Sequence, residues 1–480
     1  MADQEGELNI SFINSITTRD GTLTKDARTI NGYAEKTDAG IAIVKRPGSY
    51  YTTTAANITG TAQGILGVAG NADTSGWYIV NDTVYNMGSG AAVAIPLPSP
   101  STAHLPCDTL SNVPLNQSQS WIFNRIDLWS FTGATATKVT DVNCVNNRPY
   151  VPGFAFLDGV FYVMTNNGKI LGSALNDATI WPGLDFVQAE YTFGGGSALI
   201  RHLNYIVAFY QYGTQVYYDA NAAPNGQGIA LNPVPNSAWT TGAVKGVNAV
   251  ELSDVTYFFS QSIQHGRGVH TLQGLNLVKI STPFVDKILD RENLFALTPW
   301  ANGIRIAGKE FYLLTLPNQG ITLAYETSTQ QWGLWSSVVG GVEQKFVGRF
   351  YGTAGTGQED VMQDTSTGKP ISFDESIYTD ATGILPVTSY TPPLDAGNLQ
   401  WKRFGYMYMI ADTINTTVQV SFSDNDYASF STPRNIDLST VRKQLRNCGS
   451  SRRRSWKLYH ADNTPLRIFG MKAMANNLSR

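Results

Sequence analysis

The chain has 480 residues and a formal net charge of −3, and only 15 % of its residues are charged, against roughly a quarter in ordinary domains. Glycine is abundant at 45 residues, and Phe, Trp and Tyr together make up 11 %. This mixture excludes disorder and helical bundles, gives no overall pull toward nucleic acid or membrane, and describes many short strands joined by tight turns.

Residues 1–60 hold only isolated strands such as Leu8–Phe12, an arm expected to pack on the C-terminal part of the chain or to close a ring. The opening residues Met1–Glu5 are polar and acidic, so no signal peptide is expected, and no run approaches the ~20 apolar residues of a membrane span. Cys107, Cys144 and Cys448 are odd in number and widely spaced. They suggest neither a disulfide framework nor a zinc site, which fits folding in a reducing cytoplasm.

From residue 61 an aromatic hairpin recurs. Trp77–Val80 turns at Asn81–Asp82 into Thr83–Tyr85, and Trp121–Phe123 turns at Asn124–Arg125 into Ile126–Trp129. Phe161–Thr165 returns through Asn166–Gly168 into Lys169–Leu171, an Asn-Gly turn of the kind whose two central residues need positive φ. Tyr205–Phe209 with Val216–Tyr218, Tyr257–Phe259 with Gly268–His270, and Phe311–Thr315 with Ile321–Tyr325 follow, then a weaker unit near Phe350. The leading aromatics lie 44, 40, 44, 52, 54 and 39 residues apart. A period of about 40–50 residues with several strands per unit predicts an all-β fold, a β-propeller of six or seven blades over 61–388. One blade cannot bury both of its faces, so neighbours must pack around an axis. A multi-strand sandwich is the alternative.

Residues 95–117, with five prolines, and 219–242, rich in Asn, Ala, Gly and Pro, read as loop insertions between blades. Thr282 as N-cap and Pro283 in the first turn predict a helix with the apolar stripe Val285, Ile288, Leu289 and Phe295.

Beyond 389 the alternating strands Trp401–Ile410, Thr417–Phe422, Trp456–Tyr459 and Leu466–Gly470 predict a C-terminal β-sandwich or assembly domain over 389–480. Residues 400–480 hold 13 Lys or Arg against 5 Asp or Glu, a local +8 that leaves −11 on the rest of the chain. The cluster Arg442, Lys443, Arg446, Arg452, Arg453, Arg454 and Lys457 is the candidate assembly interface, although a basic run also fits a solvated face.

Chemistry is sparse. His265 and His270 lie across a turn but have no further ligands in sequence for a metal. The run Phe193–Ser197 lacks the Lys-Ser/Thr ending of a phosphate-cradling loop, and no Gly-x-Ser-x-Gly elbow occurs. Asp424 and Asp426 sit in a turn faintly like that of sialidase blades, without the Gly and Trp that should follow. No catalytic residue, metal or cofactor is expected. The alternative to a structural protein is a carbohydrate- or receptor-binding propeller.

Several segments resemble the tail hub (nozzle) family of podoviruses, the packaged-DNA stabilisation proteins. Asn31–Glu35 with Val44–Gly48 is similar to the family's N-terminal signature, and Leu203–Phe209 with Gln215–Asp219 to its central hairpin. The most specific piece runs from Gly266–His270 to Lys279–Asp286, with His270 where an aromatic is commoner and Asp286 where Glu is commoner. Phe311–Pro317, Thr322, Tyr325, Glu326 and Trp332 continue it, so the resemblance spans 31–335. It implies a virion tail protein made in the bacterial cytoplasm and assembled as a hexameric ring. The implied partners are the portal-adaptor protein and tail fibre, spike, plug or needle proteins, with double-stranded DNA passing through the lumen.

Overall fold

The computed structural model describes the chain apart from residues 1–5, 11–15, 24–25, 39, 53–59, 67–75, 87–94, 99–103, 111–119, 133–134, 189–193, 222–228, 307, 340–341, 346–347, 354–359, 365–366, 382 and 478–480. The acidic start Met1–Glu5 and Phe193 therefore lie outside the described residues.

Between residues 62 and 374 the strands form seven antiparallel meanders in chain order. The first is Ala62–Leu66, Trp77–Val80, Thr83–Asn86 and Ile95–Pro96. The others span 108–138, 155–188, 196–239, 241–279, 300–339 and 348–374. A separate buried apolar cluster fills each junction between neighbours. Phe209 of the fourth meander meets Phe258 of the fifth, for example, with ring centroids 4.5 Å apart. The seventh junction returns to the start, where Val361 packs with Ile65, Tyr78 and Val80. Seven sheets and seven cores around one circuit make a closed β-propeller.

The aromatic period has a structural origin. Trp77, Trp121, Phe161, Tyr205, Tyr257 and Phe311 all lie on the strand next to the innermost one of successive blades. Phe350 lies on the first strand of blade seven, which shortens the last interval. The two long intervals contain the nine-residue strand Leu231–Trp239 and the helix Pro283–Asp290.

Several expectations change. At Asn81–Asp82 both residues have positive φ, 49° and 57°, as a two-residue hairpin turn requires. At Asn166–Gly168 only Gly168 does, at 85°, because the loop is one residue longer and a single left-handed position closes it. Residues 219–242 are not simply an insertion. Their second half is the outer strand of blade four, where Pro233 and Pro235 are tolerated because that edge has no further strand beside it among the described residues. Likewise Ile95–Pro96 and Asp108–Leu110 are blade strands within 95–117. The helix starts as expected, with the Thr282 hydroxyl accepting from the Val285 amide at 3.3 Å, and it buries Val285, Ile288 and Leu289. It ends at Asp290, so Phe295 lies beyond it, 98 % exposed.

Strands from the N-terminal arm pair both with blade seven and with a strand near the C-terminus. Gly48–Tyr51 pairs with Pro370–Asp374 and supplies the fourth strand of blade seven. Gly6–Ile10 and Gly40–Lys45 pair with Arg467–Asn477 near the C-terminus. That strand, Lys402–Ala411, Gln444–Arg446 and Ser450–Ser451 build one sheet. A second sheet runs without interruption from blade six through Arg28–Ile30, Val387–Tyr390 and Ser455–His460 to Thr417–Ser423 and Arg434–Asp437. The two sheets share one core, with Phe404, Met407 and Met471 from the first and Val418, Trp456 and Leu458 from the second.

Where arm, propeller and C-terminal sheets meet, Arg46 is completely buried. Its guanidinium makes a two-pronged ion pair with Asp380 at 3.0 and 2.7 Å and donates to the Asn31 side-chain oxygen at 3.2 Å and the Ser336 carbonyl at 3.0 Å. Asn31, at φ 58°, donates to the Ser336 hydroxyl and the Pro386 carbonyl, both at 2.9 Å. Next door, Gly48 passes so close to residue 379 that a Cβ would lie 2.2 Å from the Thr379 carbonyl oxygen. Arg46→Met leaves the Asp380 carboxylate buried without its cation, and the expected loss is about 3–5 kcal/mol in equilibrium urea denaturation. A loss under 1 kcal/mol would show that the pair does not hold the junction.

Candidate assembly interface

The seven basic residues singled out in the sequence do not share one surface. Strand alternation decides which way each one points. Arg454 has the same parity as Trp456 and Leu458 and turns inward, 1 % exposed. Its guanidinium donates to both Asp424 oxygens at 2.7 and 2.8 Å and to the Cys448 carbonyl, and lies 3.8 Å from the Phe422 ring centroid. Lys443 shares parity with Leu445, is buried, and donates to the Thr413 hydroxyl at 2.9 Å. Lys457 is half-buried over the Tyr390 and Phe430 rings. These three serve the interior of the C-terminal sheets and offer a partner little.

Arg442, Arg446, Arg452 and Arg453 remain exposed. Sequence reasoning missed their neighbours. The outward face of Lys402–Ala411 carries Arg403, Tyr406, Tyr408 and Ile410, with Trp401 just before it, and all five are exposed. Tyr406 and Tyr408 stack at 6.1 Å, Arg446 lies 5.7 Å from the Tyr406 ring, and Arg452 lies 5.6 Å from Trp401. The pairing slips between Phe404 and Tyr406, so the outward parity changes from odd to even at Gly405. That bulge hides a continuous aromatic–basic stripe from a simple alternation count. Aromatic and arginine side chains on one face are the composition of interface hot spots.

Lys402 points the other way. Its ammonium donates to the carbonyls of Asn398, Gln400 and Arg452 at 2.7, 3.0 and 3.1 Å, and burial pulls its pKa down. It anchors the loop that carries Arg452. Burial also pushes His460 down to about 4, helped by the nearby Lys45 ammonium, while Thr416 lies 3.0 Å from its Nε2.

The carboxylates that might have supported glycoside chemistry are already engaged: Asp424 holds Arg454, and Asp426 accepts from Arg19 at 2.8 Å. Among the described residues no group of three or more His, Cys, Asp or Glu is placed to hold a metal. His270 sits 2.6 Å from the Ser260 hydroxyl, and burial lowers its pKa to about 4. No described helix is long and apolar enough to cross a membrane.

A family model described as bacteriophage P22 Gp10, β-propeller, matches residues 43–364. The chain belongs to that family. The match to this phage tail hub and DNA-stabilisation family takes in six blades and most of the seventh, and both a propeller and a structural virion role fit a non-enzymatic protein. No curated protein matches the chain. Among solved structures it is similar to YCF48 from Cyanidioschyzon merolae, at 10 % identity over 68 % of this chain and 98 % of that one, with a TM-score of 0.41. The Neurospora crassa Pan2 WD40 domain matches at 10 % identity over 68 % and 94 %, TM-score 0.40. BamB from Moraxella catarrhalis matches at 12 % over 77 % and 100 %, TM-score 0.38.

Two outcomes test this description. Arg454→Ala should cost about 2–4 kcal/mol of stability, since it empties a buried, ring-lined site, whereas Arg453→Ala should change it by less than about 0.5 kcal/mol. Equal effects in thermal denaturation would refute the division of the cluster. His460 is held neutral in the fold, so between its usual 6.5 and about 4 the unfolded chain binds more protons. Stability should therefore fall as the pH drops through that window, and His460→Gln should flatten the profile of melting temperature against pH.

Proposed function

We propose that the chain is a structural hub, or nozzle, of a short-tailed phage virion. Six copies form a ring that extends the DNA channel below the portal-adaptor complex, retains the packaged genome and lets it pass during ejection. The observation that carries this reading is the family match over 43–364, which takes in six blades and the first two strands of the seventh.

Three features of the fold support it. The propeller is sealed by a strand from the far end of the chain, and blade six is continuous with the C-terminal sheets. Such a body transmits load through hydrogen-bonded ladders instead of a hinge. The exposed stripe of Arg403, Tyr406, Tyr408, Arg446 and Arg452 offers aromatic contact area with cations at its margin, suited to an acidic neighbour. Residues 1–400 carry a net −11, so the C-terminal sheets are the basic end of an otherwise acidic molecule. Channel walls drawn from the acidic part would repel phosphate and let DNA slide, while the basic end seats against protein.

The test is electron microscopy of purified virion tails with the chain labelled, looking for a symmetric collar below the adaptor. Replacing Arg442, Arg446, Arg452 and Arg453 together with Glu should lower incorporation into tails at least tenfold without shifting the melting temperature of the free chain. Normal particles that hold DNA with all four reversed would sink the assignment of this surface, and a virion lacking the chain would sink the tail reading itself.

A further inference from the structure

A cleft of about 520 Å³ opens where residues 21–23 and 28–30 of the arm, blade six and the end of the helix Pro283–Asp290 meet Tyr390. Leu23, Ile30, Ile321 and Leu334 give it apolar walls, and two arginines, Arg28 and Arg291, complete it. Among the described residues no carboxylate lines it. The acids just outside it already accept hydrogen bonds: Asp20 from Thr22, Asp26 from Arg19, and Glu292 from Asn318 and Gln319. Lys287 adds a further positive charge close by, its ammonium 3.4 Å from the Thr18 and Arg19 carbonyls.

The two guanidiniums are held differently. Arg28 lies 3.9 Å from the Tyr390 ring centroid and donates to the Asp26 carbonyl at 3.0 Å, so its plane is fixed at the cleft wall. Arg291 is exposed, and its guanidinium makes no hydrogen bond or ion pair among the described residues. It is kept in place by packing over Gly21, where a Cβ would lie 3.0 Å from its Cδ and Nε. An arginine fork positioned by packing and left without an acceptor is suited to a carboxylate, which it can bind through two parallel bonds.

We propose that this cleft binds an acidic peptide segment of a partner polypeptide, its carboxylates on Arg28 and Arg291 and an apolar side chain between them. The volume is in the range of ligand sites. The apolar walls select against a small hydrated anion, whose lost solvation they cannot replace, and favour a chain that alternates acid with hydrocarbon. Because the cleft joins the arm, blade six and the C-terminal sheets, an occupant clamps three segments that are far apart in sequence. The site does not depend on ring formation and can be tested on the isolated chain.

The experiment is calorimetric titration of the full chain with a capped pentapeptide of alternating Glu and Leu, with the same peptide carrying Gln for Glu, and with inorganic phosphate. The Glu peptide should bind saturably and the Gln peptide about tenfold more weakly, the worth of one charge-assisted hydrogen bond. Arg291→Gln should weaken the Glu peptide by a similar factor with an unchanged melting temperature, and Arg403→Gln, on the distant stripe, should not. No saturation by the Glu peptide, equal binding of the Gln peptide, or indifference to Arg291→Gln would overturn the proposal. Phosphate binding as tightly as the Glu peptide, with the same dependence on Arg291, would overturn it in favour of a simple anion site. Each of these failures leaves the tail reading intact, since that rests on the family and the exposed stripe.

Discussion

The buried pair of Arg46 and Asp380 is the constraint on which the rest of this architecture turns. An arginine with no solvent exposure is tolerated only when its charge is paired and its other donors are occupied. Here Asp380 takes the fork, Asn31 and Ser336 take two of the remaining hydrogens, and the Trp335 and Phe373 rings lie 5.3 and 5.8 Å from the guanidinium carbon. Those partners come from the arm, blade six, blade seven and the link to the C-terminal sheets. A bond set this demanding is met by one arrangement of the four. It fixes their mutual geometry in a way that apolar contact alone, which is non-directional, would not.

Around the ring the work is done differently. Each blade junction carries its own apolar core, and six of the aromatics that set the sequence period belong to or pack against those cores. Buried indoles also bond to backbone: Trp129 donates to the Pro98 carbonyl, Trp181 to Ala178 and Trp332 to Ile280. Each such ring fills volume and satisfies a carbonyl where the chain leaves its strand.

Much of this was legible in the residues. Six of the seven aromatic markers fall on the equivalent strand of successive blades, where a ring packs into a blade junction, five toward the following blade and Phe161 toward the preceding one. The helix start was legible because Thr282 and Pro283 act locally. What escaped was non-local. The Asn166–Gly168 turn was misread because loop length depends on where the flanking ladder ends, and the outer strand with Pro233 was hidden because an unpaired edge relaxes the rule against proline. Arg454 looked like part of a solvated run, although its parity with Trp456 pointed inward; charge was given more weight than phase. The aromatic stripe on Lys402–Ala411 was concealed by one bulge, which no composition argument detects.

Sealing blade seven with Gly48–Tyr51 has a temporal side. On the ribosome that strand emerges among the first fifty or so residues, yet its mate Pro370–Asp374 appears only after six blades have been made. The last long strand, Arg467–Asn477, must likewise find Gly6–Ile10 and Gly40–Lys45 across almost the entire length of the polypeptide. A nascent chain thus carries unsatisfied edges until Arg467–Asn477 has been made, and contacts of such separation form slowly. Prematurely terminated products cannot close, so an incomplete copy lacks the finished surface needed to join anything larger.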